Sequence, residues 1–125
     1  MNLNEYQSES RRTAIYPRRI PPIRMMGYEG IFPDVECGLV YPTIGLVGES
    51  GEFLEKVKKI IRDKEGFIDD STREKLLDEL GDILWYLSQV SFELNYALDG
   101  LAERNLKKLR DRQERMKLQG EGDNR

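Results

Sequence analysis

The sequence contains no histidine and a single cysteine, Cys37, among its 125 residues. The absence of histidine excludes Ser-His-Asp and Cys-His catalysis, histidine zinc sites, and the Glu-x-x-His pairs of di-iron helical bundles. A single cysteine excludes an internal disulfide and a cysteine-based zinc site. Any acid–base or metal chemistry must therefore come from carboxylates, lysines or tyrosines.

Long apolar runs and a large excess of one charge are missing too. No uninterrupted apolar run approaches the roughly 20 residues of a membrane span, and the polar opening MNLNEYQSES lacks the apolar core of a signal peptide. The net charge of −3 is the small difference between 23 acidic and 20 basic residues. We therefore expect one cytoplasmic domain with no membrane and no nucleic-acid partner.

The apolar spacing predicts an all-α fold with four helices, at about residues 3–14, 43–62, 72–98 and 101–116. Asn2 and Glu5 are a candidate capping pair for the first helix, and Ser71 and Glu74 form a capping box for the third. The tail 117–125 is expected to be flexible.

A long proline-rich loop, residues 18–42, connects the first two predicted helices. All five prolines of the chain lie between residues 16 and 42. A connection of this length is typical of a functional or disordered segment. It predicts a mobile surface loop, a substrate lid or a subunit contact.

The second and third predicted helices carry matching acidic pairs, Glu49 with Glu52 and Glu79 with Asp82. Residues three apart lie on one face of a helix, and both pairs lie beside the apolar stripe of their helix. If the two helices pack through these stripes, the four carboxylates face one cleft, where they repel one another. Divalent cations relieve that repulsion, and Mg²⁺ prefers such oxygen ligands. A solvated helix edge is the plain alternative for either pair alone.

Glycines interrupt the second helix beside these acids. Gly45, Gly48 and Gly51 recur every third residue, and each costs a helix about 1 kcal/mol relative to alanine. Gly81 occupies the position in the third helix that corresponds to Gly51. We expect these glycines to let a ligand or a neighbouring helix approach the backbone closely.

The fourth helix places Asn105, Lys108 and Arg112 on one face. A lysine and an arginine on one line can hold phosphate oxygens, and arginine can bind them in a fork. An ordinary basic surface is the alternative.

The ordered set E-x-x-E, 26 intervening residues, then E-x-x-D resembles the MazG-like family of all-α nucleoside triphosphate pyrophosphohydrolases. The supporting segments are YPTIGLVGESGEFLEKVKK, LLDELGDILWYLS and LAERNLKKLRDR. The resemblance implies a single four-helix bundle of MazG type over residues 1–116, in which residues 18–38 look like an insertion. It also implies an enzyme of the bacterial cytoplasm, or of the host cytoplasm if the chain is encoded by a phage.

The resemblance implies magnesium-dependent hydrolysis of ribo- or deoxyribonucleoside triphosphates to the monophosphate and pyrophosphate, by attack of a metal-activated water. Mn²⁺ can replace Mg²⁺ in this expectation. The implied catalytic and metal-binding residues are Glu49, Glu52, Glu79 and Asp82. The implied substrate-binding residues are Lys56, Asn105, Lys108 and Arg112 at the phosphates and Gln7 near the base.

Two further hypotheses follow from the sequence. A non-catalytic helical module that senses nucleotides is the alternative function. Trp85, Phe92 and Tyr96 give the third helix a second apolar face, which predicts either a central position in the bundle or a subunit interface. The resemblance favours the interface, in a homodimer or homotetramer.

Overall fold

The computed structural model describes residues 1–20 and 35–115, and this part of the chain contains four α-helices. They are α1 (Leu3–Arg11), α2 (Val40–Lys64), α3 (Asp70–Glu93) and α4 (Leu98–Glu114). None of the described helices is long and apolar enough to cross a membrane. The all-α prediction with four helices is confirmed. The central part of the proline-rich loop and the tail predicted to be flexible lie outside the described residues.

Two short strands lie in the connection between α1 and α2. Strand β1 (Arg19–Ile20) pairs antiparallel with β2 (Val35–Glu36). The sequence shows no strand alternation here, because two residues are too few to show the pattern. The sequence also offers IRMMGYEGIF, residues 23–32, as a candidate small hairpin, and this segment lies outside the described residues.

The capping box predicted at the start of α1 is confirmed. The Asn2 side chain accepts a hydrogen bond from the Glu5 N–H at 2.8 Å, and the Glu5 carboxylate accepts one from the Asn2 N–H at 2.9 Å. The helix ends at Arg11, three residues before the prediction, because the backbone then tightens into turns between residues three apart.

The capping box predicted at Ser71 and Glu74 is wrong. Asp69 caps α3 instead: its carboxylate accepts a hydrogen bond from the Thr72 N–H at 2.7 Å and pairs with the Lys64 ammonium at 2.9 Å. These contacts hold the pKa of Asp69 well below its usual range. The helix therefore begins two residues earlier than predicted.

The boundary between α3 and α4 also differs from the prediction. Asn95 adopts a positive φ of 53°, which ends α3 near Glu93. Gln7 of α1 then accepts a hydrogen bond from the Leu98 N–H at 3.1 Å, so α4 begins three residues before the predicted start. A helix end that is capped from α1 cannot be predicted from the local sequence.

Helices α2 and α3 form an antiparallel hairpin with the most extensive contact in the described chain. The turn between them places Glu65 and Gly66 in the left-handed region, at φ 50° and 82°. Helix α1 packs against α3 and α4. Its Arg11 guanidinium lies 4.1 Å from the Phe92 ring centroid, and Thr13 accepts a hydrogen bond from the Trp85 Nε1–H at 2.8 Å. The first helix and the residues after it therefore contact the second apolar face of α3, and Phe92 on that face stays 44% exposed.

The connection after α1 is anchored to α3 by Glu93. The Glu93 carboxylate is almost fully buried and lies 2.6 Å from the Tyr16 hydroxyl, 2.9 Å from Arg18 and 3.3 Å from Arg11. The Tyr16 ring stacks on Tyr41, with a centroid distance of 5.7 Å. These contacts place the start of α2 beside α3.

Few apolar side chains are completely buried. Among the described leucine, isoleucine and valine residues, only Ile60 and Leu98 are buried, at 5% and 3% exposure. The apolar residues on one side of α2 form a stripe that is wider than the surface that α3 covers. Leu54 and Ile61 belong to this stripe and are 66% and 68% exposed.

Candidate metal centre

Three of the four predicted acids come together between α2 and α3. One carboxylate oxygen from each of Glu49, Glu79 and Asp82 lies within 4.8 Å of the other two. Oxygens on opposite sides of a bound Mg²⁺ are about 4.2 Å apart, since each Mg–O distance is about 2.1 Å. Small side-chain rotations would therefore bring all three carboxylates into contact with one cation.

Glu52 stands outside this group of three but acts on it electrostatically. Its side chain is exposed. Burial raises the pKa of Glu49, and the charges of Glu52, Asp82 and Glu79 raise it further, while Lys56 opposes the rise. The charges of Glu52, Glu79 and Asp82 thus all act on Glu49, although only Glu49, Glu79 and Asp82 approach within 4.8 Å of one another.

Glu79 is the most constrained of the four acids. Its side chain is 12% exposed, and its Oε1 lies 2.7 Å from the Lys56 ammonium. Its Oε2 is buried and has no hydrogen-bond partner among the described residues. A buried carboxylate oxygen without a partner lowers the stability of the folded state. This atom is therefore well placed to act as a ligand of a cation. The hydrogen bond with Glu79 raises the pKa of Lys56, although burial opposes the rise.

Two tyrosines flank the acids. Burial raises the pKa of Tyr86, and the neighbouring Tyr41, Glu49 and Asp82 raise it further. Burial and then the charge of Asp82 raise the pKa of Tyr6 on α1. Sequence reasoning missed Tyr6, because no local pattern shows how α1 crosses α3.

The predicted role of the glycines is supported at one position. A Cβ built on Gly45 would lie 2.0 Å from the Tyr86 ring, so this glycine lets α3 approach α2. Gly48, Gly51 and Gly81 have no described atom within 4 Å of a built Cβ. Among the described residues, these three glycines therefore do not serve to let a neighbouring helix approach.

The predicted phosphate-binding residues fall into separate places. Lys56 lies at the acids. Asn105 and Lys108 line a groove of about 810 Å³ between α1, α3 and α4, whose floor includes Leu84 and Leu87. At 100° per residue, those leucines point roughly 140–200° away from Asp82 around α3. The floor of the groove therefore lies on the opposite side of α3 from Asp82.

Arg112 and Gln7 are both engaged within the fold. Arg112 is 5% exposed. The Gln7 amide nitrogen donates to the Tyr96 carbonyl at 3.1 Å, and its oxygen accepts from Leu98. The predicted base contact of Gln7 would require one of these hydrogen bonds to break.

Comparisons with known proteins identify the family of this chain. The MazG nucleotide pyrophosphohydrolase domain matches residues 43–116, which include all four acids. The chain is also 44% identical over 125 residues to the Gene 37 protein of Mycobacterium phage L5, with 100% of both chains covered. No solved structure matches. With the acids of α2 and α3 gathered inside the matched region, the chain belongs to the MazG nucleotide pyrophosphohydrolase family.

Proposed function

We propose that this protein is a magnesium-dependent enzyme that hydrolyses nucleoside triphosphates to the monophosphate and pyrophosphate. Family membership supports the reaction class. The observation that carries the metal is the Oε2 of Glu79, which is buried beside Glu49 and Asp82 and has no hydrogen-bond partner among residues 1–20 and 35–115. Such an atom in an acidic cluster is best satisfied by a cation.

The donor set fits Mg²⁺. Glu49, Glu79 and Asp82 would hold it through carboxylate oxygens, with Glu52 at the exposed edge as a further ligand. Mn²⁺ accepts the same hard oxygen donors and would substitute.

The residues of the chain would then position the substrate. When bound, the metal supplies charge neutralisation of the triphosphate and activation of the attacking water. The Lys56 ammonium lies at the same acids and would contact a phosphate oxygen. Tyr6 and Tyr86 would border the site and limit access of water. Positioning and charge stabilisation dominate phosphoryl transfer, so the lack of histidine is no obstacle.

We also propose that the enzyme acts as a homodimer or homotetramer. The exposed apolar side chains of α2, including Val47 and Leu54, would pack into the α3–α4 groove of a neighbouring copy. Glu52 borders the α2 surface, and Lys107 and Lys108 border the groove, so these charges are complementary. Asn105 and Lys108 would then reach the triphosphate of the neighbouring copy.

Product analysis by ion-exchange chromatography tests the reaction. A panel of ribo- and deoxyribonucleoside triphosphates is incubated with and without Mg²⁺. We expect equal amounts of monophosphate and pyrophosphate, formed only with the metal. Asp82→Asn removes one charged ligand and should lower kcat at least about 100-fold. Glu74→Gln, an exposed acid on α3 that pairs with Arg73, is the matched control and should keep wild-type activity.

Other outcomes have distinct meanings. Diphosphate and inorganic phosphate as products would refute the proposed cleavage position. Nucleotide binding without turnover of any substrate would favour the nucleotide-sensing module. Near-full activity of Asp82→Asn would refute the assigned metal site.

A further inference from the structure

We propose that Lys56 occupies the metal centre before the metal does, as a built-in cation that must leave Glu79 when a divalent ion binds. This inference rests on the proposed metal site, and it assigns Lys56 a second role besides contact with phosphate. It makes the affinity for the metal depend on whether a nucleotide is present.

The ion pairs of α2 distinguish Lys56 from the other lysines of the helix. Its ammonium lies 2.7 Å from Glu79 Oε1, a carboxylate that is 12% exposed and belongs to the acidic group. Lys58 and Lys59 pair with Glu55, which does not belong to the acidic group. Lys64 pairs with Asp69 at the end of the helix.

The Lys56–Glu79 ion pair reduces the repulsion among the clustered carboxylates. Glu49, Glu79 and Asp82 come from two helices that would repel each other at this point. One ammonium among them offsets part of that repulsion, and its position between α2 and α3 joins the two helices. The Oε2 of Glu79 has no hydrogen-bond partner in the part of the chain that the structure describes, so the lysine satisfies the site only in part.

A metal ion at Oε2 of Glu79 and the ammonium at Oε1 would compete electrostatically for this carboxylate. A dication ligated by Glu79 would lie within a few ångströms of the Lys56 nitrogen, and the two positive charges would repel strongly in a partly buried site. Binding of the metal alone therefore includes the cost of breaking the Lys56–Glu79 pair. A triphosphate offers the displaced ammonium a new partner, so the nucleotide and the metal should strengthen each other's binding.

A titration with Mn²⁺ in the absence of nucleotide tests this directly. Calorimetry is performed on the full-length wild type and on Lys56→Met, which keeps the length of the side chain and removes its charge. We expect Lys56→Met to bind Mn²⁺ about tenfold more tightly than the wild type. Lys58→Met is the matched control on the same helix and should stay within about twofold of the wild type.

The melting temperature gives a second readout. Without metal, Lys56→Met should melt at a lower temperature than the wild type, because its carboxylates lack the counter-charge, and Mn²⁺ should raise its melting temperature by more. Lys56→Gln serves as a second neutral variant if Lys56→Met does not fold.

The coupling to nucleotide completes the test. A non-hydrolysable triphosphate should increase the Mn²⁺ affinity of the wild type by a larger factor than that of Lys56→Met. The inference would be overturned, and the proposed function would stand, if both neutral variants bound Mn²⁺ no more tightly than the wild type while the wild type hydrolysed triphosphates with Mg²⁺. Absence of Mn²⁺ binding in every variant, together with absence of turnover, would overturn the proposed metal site as well.

Discussion

Gly45 on α2 and Gly81 on α3 both flank the acidic centre, but their surroundings differ. A methyl group at Gly45 would collide with the Tyr86 ring, whereas one at Gly81 meets no described atom within 4 Å. Gly45→Ala should therefore lower the free energy of unfolding by about 1–3 kcal/mol through overpacking. Gly81→Ala should raise it by about 0.5–1 kcal/mol through helix propensity. Urea denaturation of the metal-free protein measures both.

The comparison separates the two reasons for a glycine in a helix. Gly81→Ala is the control for the general effect of alanine on helix stability. Equal stabilisation by both substitutions would show that Tyr86 moves aside without cost. The close contact between α2 and α3 at Gly45 would then not be needed for stability.

Individual site residues were predictable where the relevant information is local. The acids Glu49, Glu79 and Asp82 were found because spacing along a helix fixes the face on which a residue lies. The partner of Lys56 and the position of Tyr6 were not predictable in this way. They depend on the register of α2 against α3 and on the crossing of α1, which are set by packing between distant parts of the chain.

The elements themselves were largely readable from apolar periodicity, while several of their ends were not. Asn2 and Glu5 cap α1 within three residues of each other, and this cap was predicted correctly. The start of α4 depends instead on Gln7, which is 91 residues away from Leu98. Local pattern thus predicts a helix, and tertiary hydrogen bonds decide where it begins.

The anchor at Glu93 links the α1–α2 connection to α3 and should make stability depend on pH. Burial raises the pKa of Glu93, but the hydrogen bonds from Tyr16 and Arg18 and the charges of Arg18 and Arg11 lower it by more. Because the folded-state pKa lies below that of the unfolded chain, the unfolded state binds more protons. The resulting stabilisation is complete above about pH 5 and is lost as the pH falls through the folded-state pKa.

Glu93→Gln should therefore destabilise the protein most at neutral pH. We expect a loss of about 2 kcal/mol at pH 7, a modest figure because Arg18 is half exposed and its charge is screened by solvent. The difference from the wild type should shrink between about pH 5 and pH 3. Thermal unfolding at several pH values measures it, with Glu9→Gln, an exposed pair with Arg12, as the control. A difference that is independent of pH would contradict the assigned ion pairs.

At the scale of the whole molecule, the exposed apolar side chains support the proposed assembly. Leu77 and Leu80 of α3 are 50% and 46% exposed and continue the leucine row that forms the floor of the groove. The sequence predicted a central position or a subunit interface for the second apolar face of α3, at Trp85, Phe92 and Tyr96. Helix α1 and the residues after it contact that face at Trp85 and Phe92, and Phe92 stays 44% exposed. Periodicity within α3 indicates that a face is apolar but not which element packs on it.

Substitutions on the two proposed sides of the contact test the assembly. Leu80→Glu lies beside the groove, and Leu54→Glu lies on the exposed face of α2. Each places a charge in an apolar contact, so each should shift the protein towards a monomer in light scattering. Ile15→Glu, at a residue that is 94% exposed after α1, is the matched control and should keep the wild-type mass.

The activity of those monomers distinguishes assembly from function. Both variants leave Glu49, Glu79 and Asp82 in place, so Mn²⁺ binding should persist. Turnover should fall at least about tenfold, because Asn105 and Lys108 lie on the far side of α3 within their own chain and would contact phosphate only in a neighbouring copy. A wild type that is already monomeric would refute the assembly. A monomeric variant with full turnover would instead show that Lys56 and the acids are sufficient to bind and hydrolyse the triphosphate within one chain.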